Sequence, residues 1–184
     1  MALLFYQNIN IQISGKIDFN TKTNSGVWAD ISVGDSIIRC YSVHLKSNQI
    51  SRKAQEVVDD MENNQKIESK NIKNILSLYK NNVQIRAEQV KIVKKEILSS
   101  PYPVIIGADF NDPPISYTYK QFSEKLHDSF KDKGVGLGIS YGGVIPFLRI
   151  DYLLVSDKLK TLDFSNYNVN YSDHFPILAS YKID

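Results

Sequence analysis

A single cysteine, Cys40, among 184 residues excludes an internal disulfide and any cysteine-rich zinc centre. No apolar run approaches the length needed to cross a bilayer, since the longest are the size of strands. Met1 to Tyr6 is too short, and lacks the basic start, for a signal peptide. An intracellular location is permitted by this, and Cys40, set in an apolar strand pattern, is expected to be a buried thiol. Charge of one sign is also missing. Against 22 Lys and Arg stand 20 Asp and Glu, leaving a net charge of +2, too little to imply a nucleic-acid partner by electrostatics alone. Internal repeats, low-complexity tracts and linkers are absent. What is present is 42% hydrophobic side chains with 11 tyrosines and 8 phenylalanines, enough for one soluble domain with a sizeable core.

Strand-like runs open the chain at Leu3–Tyr6, Ile9–Phe19, Val27–Val33 and Ile37–Leu45. Gly34-Asp35 joins the last two as a hairpin. From Ser51 the period changes. Val57, Val58 and Met61 fit one short helix, and Ile72, Ile75, Leu76, Tyr79, Val83, Val90, Val93 and Ile97 a longer one. Pro103–Gly107 suits a strand buried on both faces. A helix around Ser116–Leu126 follows, then a glycine-rich loop over Gly134–Pro146, expected to be mobile, and strands at Leu148–Ser156, Thr161–Phe164 and Ile177–Ile183. Arg86, on the long helix, is expected to pair with a surface acid. Trp28 and Tyr41 are expected in the core, and His127 has no partner pattern.

Chemistry-bearing residues collect where strands end. His44-Leu45-Lys46-Ser47 closes one strand, Gly107-Ala108-Asp109-Phe110-Asn111-Asp112 another, Arg149-Ile150-Asp151-Tyr152 opens a third, and Ser172-Asp173-His174-Phe175-Pro176 precedes the last. Groups so placed can converge while the core stays apolar. Carboxylates such as Asp109 and Asp173 are hard ligands suited to magnesium or manganese. Imidazoles suit proton transfer near neutral pH. Asp151, between two apolar neighbours, needs a partner or a cleft, and His174 would serve.

These four motifs, in this order, resemble the C-terminal signature of the endonuclease/exonuclease/phosphatase superfamily, whose members include deoxyribonuclease I-like nucleases, inositol-phosphate 5-phosphatases and bacterial sphingomyelinases. The resemblance covers the chain from about Val27 onward. It implies a two-sheet α/β sandwich with helices on the outer faces and Mg2+- or Mn2+-dependent attack of water on a phosphoester. Asp173, with Asp109, would bind metal, and His174 would be the general base or phosphate contact, oriented by Asp151. Asp109 would position water, while Asn111 and His44 would contact the phosphoryl oxygens. The substrate implied is a nucleic acid or a phospholipid or inositol phosphate head group. The same resemblance implies an earlier strand ending in Gln-Glu, whose glutamate binds metal, yet no Glu precedes Glu56. We therefore expect residues 1–184 to form one domain shortened at its N-terminus, with the first sheet incomplete and a bare sheet edge open to self-association. A catalytically inactive binding module is the alternative expectation.

Overall fold

The computed structural model describes residues 10–21, 23–48, 69–143, 145–169 and 171–184. Leu3–Tyr6 and the helix around Val57–Met61 lie outside them. β1 (Asn10–Ile17), β2 (Ser25–Val33) and β3 (Ser36–His44) form an antiparallel meander. Gly34, at φ +60°, supplies the left-handed position that closes the β2–β3 hairpin. Helix α1 (Ser69–Leu98) belongs to the crossover into β4 (Val104–Asp109), which pairs with β3 in parallel, the arrangement that a long connection permits. α2 (Tyr117–Ser123), β5 (His127–Asp128) and α3 (Ser129–Lys133) come next, then β6 (Asp151–Val155), β7 (Leu159–Asn166) and β8 (Ile177–Ile183). The six-stranded sheet runs β1-β2-β3-β4-β6-β5, and β7 and β8 pair separately.

Strand alternation builds three layers. On one face Tyr41, Val43, Ile106 and Tyr152 pack with Val90, Val93 and Ile97 of α1 and with Phe122 of α2. Ile38, Cys40 and Val155 point to the opposite face and meet Leu159, Tyr181 and Ile183 of the two-stranded sheet. Two sheets and helices against one outer face follow the expected architecture. Among the described residues the second sheet consists of β7 and β8, against six strands in the first. No helix is long and apolar enough to cross a membrane among the described residues.

Cys40 is buried and Tyr41 fully so, whereas Trp28 is only partly covered. One other expectation needs correction. The strand expected from Leu148 begins at Asp151, because the Ser140 hydroxyl accepts the backbone N–H groups of Ile150 (3.0 Å) and Asp151 (2.9 Å) in place of a ladder partner. The spacing from Ile72 to Ile97 does form one helix, in which Val90, Val93 and Ile97 are buried while Ile72, Leu76 and Tyr79 are exposed. In the glycine-rich loop the Gly142 N–H donates to the Asp173 carbonyl (2.8 Å), and a side chain at Gly142 would meet the Phe175 ring.

At the rim of the helix-covered face, Asp30 and Arg39 lie directly opposite across β2 and β3. Arg39 donates to both Asp30 oxygens (2.6 and 2.7 Å) while its guanidinium lies 4.0 Å from the centre of the Trp28 ring. Removing the cation leaves a buried carboxylate unpaired. Arg39→Ala is expected to cost about 3 kcal/mol in urea unfolding followed by emission of Trp28, the only tryptophan. A loss below about 1 kcal/mol would show that the pair contributes no more than a surface one.

Candidate active site

Strand register does most of the assembly. His44 is paired with Asp109 across β3 and β4, and Asp109 with Asp151 across β4 and β6. Three polar residues therefore form a row at one end of the large sheet. The row is carboxylate-rich and buried: Asp109 is 5% exposed and Asp151 6%. His174 reaches it from the loop before β8, held by an isolated bridge to Tyr141 and by the Phe175 N–H donating to the Ser140 carbonyl (2.8 Å). There the Nδ1 atom of His174 lies 2.8 Å from the Asp151 carboxylate. Ligand atoms of Asp109, Asp151 and His174 all fall within 4.8 Å of one another.

Asp109, His174 and His44 are each shifted by this environment. Burial first, and the neighbouring Asp151 charge second, push the Asp109 carboxyl up to about 6, against the N–H of Asn111, which donates to it (2.8 Å) and pulls the other way. Hydrogen bonding to Asp151 raises His174 above the ordinary histidine value, while burial lowers His44. His44 Nε2 stands 3.7 Å from Asp109, too far for a hydrogen bond. Asn111 adopts a left-handed conformation (φ +52°), which asparagine tolerates, and its side chain donates to the Leu45 carbonyl (3.2 Å). Asp173 is exposed and lines the cavity shared by His174 and Asn111, outside the tight cluster.

Behind the row lies a network that was misjudged from sequence. Arg86 is fully buried, and its partner is not a surface acid but buried Asp112, at 2.9 and 2.7 Å. It also donates to the Lys46 carbonyl (2.9 Å) and the Asn48 side chain (2.6 Å). Asn48 in turn donates to the Asn111 carbonyl (2.6 Å), and Gln89 accepts from the Lys46 N–H (2.8 Å). One guanidinium thus ties together the loops that follow His44 and Asp109. The signal was available: Asn82, Arg86 and Gln89 continue the buried stripe of α1 at three- and four-residue steps. His127 meets exposed Asp157 at the surface, 2.9 Å away.

The sequence matches the Endonuclease/Exonuclease/phosphatase family over residues 18–174. The chain belongs to that family. Solved structures agree in fold. A functionally unknown conserved protein from Enterococcus faecalis V583 superposes with a TM-score of 0.67 at 14% identity, covering 96% of this chain and 68% of that one. The Bacteroides thetaiotaomicron mannosyl-6-phosphatase gives 0.59 at 16%, covering 95% and 67%. D. rerio TDP2 complexed with single strand DNA product gives 0.62 at 13%, covering 95% and 68%. The chain therefore spans about two thirds of the length of these structures. No curated relative matches it.

Two outcomes follow from the geometry. Arg86→Lys, which cannot reproduce the fork, is expected to lower unfolding free energy by about 3 kcal/mol and to speed hydrogen exchange at the Leu45 and Lys46 amides. Unchanged exchange would mean that these loops hold themselves. For Asp109, a folded pKa near 6 against 3.8 means that the native state binds the proton more tightly. Its contribution is fully present below about pH 4 and lost as pH rises through about 6, amounting to roughly 3 kcal/mol at pH 8 without metal. In EDTA, Asp109→Asn should therefore match the parent near pH 4 and exceed its Tm by several degrees at pH 8. An Asn variant no more stable at pH 8 would refute the buried-charge account.

Proposed function

We propose that this chain is a divalent-metal-dependent phosphodiester hydrolase. The observation that carries this reading is the His174–Asp151 pair, 2.8 Å apart, beside Asp109 and opening on the cavity that Asn111 lines. The donor set fits a hard divalent ion. Buried carboxylate oxygens dominate it, and the negative charge shared by Asp109 and Asp151 has no lysine or arginine partner among the described residues. Asp109 would hold the ion, with Asp173 at the mouth of the cavity, and Mg2+ or Mn2+ suits oxygen ligands. When bound, the ion would neutralise developing charge on the phosphoryl oxygens.

The chain's own residues supply the rest. Asp151 fixes the tautomer and orientation of His174 by accepting from Nδ1, so that Nε2 is the atom that exchanges a proton with the substrate or the attacking water. The hydrogen bond to Asp151 raises the His174 pKa and so favours the imidazolium that forms when the ring takes up a proton. Asp109 orients water through a carboxylate whose other oxygen is held by the Asn111 N–H. The Asn111 amide and a neutral His44 offer hydrogen bonds to phosphoryl oxygens, and burial favours the uncharged form of His44. A phosphatase and a protein complexed with DNA share this fold, which supports phosphoester chemistry as the class.

Hydrolysis of bis(p-nitrophenyl) phosphate with Mg2+ or Mn2+ tests the proposal. Turnover should require the metal and fall by about 10²–10⁴ in His174→Ala. A folded, metal-loaded protein with no turnover would instead favour the binding-module reading.

A further inference from the structure

We propose that Ser140 is a positioning residue for the Asp151–His174 pair, joining the two stretches of chain that carry it. This rests on the hydrolase reading above and adds to it a residue that acts through its neighbours, since Ser140 is fully buried and outside the cavity lining. Asp151 and His174 are 23 positions apart, so their 2.8 Å contact requires β6 and the loop before β8 to keep a fixed offset. The Ser140 hydroxyl oxygen accepts the N–H groups of Ile150 (3.0 Å) and Asp151 (2.9 Å), using both of its lone pairs. Its carbonyl accepts the N–H of Phe175, the residue after His174 (2.8 Å), and its own N–H donates to the Leu148 carbonyl (2.9 Å). The next two residues continue the pairing. Tyr141 bridges to His174 and meets the imidazole edge to face, with 5.3 Å between ring centres. Gly142 donates to the Asp173 carbonyl (2.8 Å), and a Cβ there would come within 2.6 Å of the Phe175 ring. Ser140, Tyr141 and Gly142 therefore run antiparallel to Phe175, His174 and Asp173, one against one.

Register gives the hydroxyl its importance. Asp151 is the first residue of β6, and side chains alternate between faces along a strand, so a slip of one residue would turn its carboxylate away from the row. β5 does not hold that end, because it pairs with Leu154 and Val155. On the other side the Ile150 carbonyl accepts the N–H of Phe110, the residue after Asp109 (2.9 Å). Ile150 is thus gripped at its N–H by Ser140 and at its carbonyl by the loop that follows β4. One oxygen that takes two successive N–H groups fixes where the strand begins and which way Asp151 faces. Serine suits the place, since it brings that oxygen into a fully buried position with little volume. Alanine would leave two N–H groups there without their partner. If the hydroxyl served stability alone, its loss would lower the melting temperature without disturbing His174.

Ser140→Ala and Ser140→Thr are compared with the parent by three measurements. These are amide hydrogen exchange, the NMR resonance of the His174 Nδ1 proton at fixed pH, and hydrolysis of bis(p-nitrophenyl) phosphate with Mg2+. In the parent, the Ile150 and Asp151 amides should be protected as well as that of Leu154. In Ser140→Ala they should exchange about 10-fold faster or more, and the Nδ1 proton should lose the downfield position of a hydrogen-bonded imidazole. The kcat should fall about 10- to 100-fold, with KM within about twofold of the parent. Ser140→Thr, which returns the oxygen, should restore all three. Thermal melting checks that each variant is folded, and if Ser140→Ala is not, Ser140→Cys replaces it, keeping the size with a weak acceptor. Three results would overturn the proposal: unprotected Ile150 and Asp151 amides in the parent, a folded variant without the hydroxyl that keeps the parent's Nδ1 resonance, or Ser140→Thr as impaired as Ser140→Ala. A parent without turnover would sink the hydrolase reading alone, because exchange and the Nδ1 resonance read the Ser140 bonds without it.

Discussion

Asp109 and Asp151 face each other across adjacent strands, and most of the site's organisation answers that juxtaposition. Like charges directly opposite in a sheet repel, and burial at 5% and 6% exposure removes the water that would screen them. The protein compensates on two sides. His174 takes one carboxylate, and the Asn111 backbone takes the other. Neither brings a permanent cation, so Asp109 keeps a proton affinity well above that of a free aspartate. A site with uncompensated buried charge is less stable than the fold could be. That cost is expected where a cation or a polar transition state is to be received.

Holding such a site requires stiffness elsewhere, and Arg86 provides it. A buried ion pair contributes little net stability compared with apolar packing, but it imposes geometry, and its half-removal is severe. Here the pair with Asp112 is extended by Thr118 (2.7 Å to the carboxylate) and by the Tyr152 hydroxyl donating to the Asp112 carbonyl (2.7 Å). Tyr152 also stacks on Phe110, and Phe110 on Phe122. The loop after β4 is thereby clamped between a polar network and an aromatic core. Asn111 can occupy its left-handed conformation because its neighbours on both sides are fixed.

The four motifs were legible because each is local: a short polar string at the end of an apolar run. Their order carried the family, and the Asp151–His174 pairing followed from the cost of a charge between Ile150 and Tyr152. Arg86 was not legible in the same way. A cation on a helix is usually solvated, and its true partner, Asp112, lies 26 positions away in a turn that reads as a rigid corner. Only the buried stripe it shares with Asn82 and Gln89 marked it. β5 and α3 were missed because two and five residues are too few to show a period. The Asp128 carboxylate that accepts from Arg149 and Tyr119 was hidden with them.

The polar row and the apolar lining of the cavity come from different parts of this fold. On the proposed hydrolase reading, the reacting groups sit at strand ends and in the loops that Arg86 braces, where a displacement of an ångström would disturb every partner. The apolar lining comes from the exposed first half of α1, the turn after Asp112 and the loop before β6, none of which joins the carboxylate row.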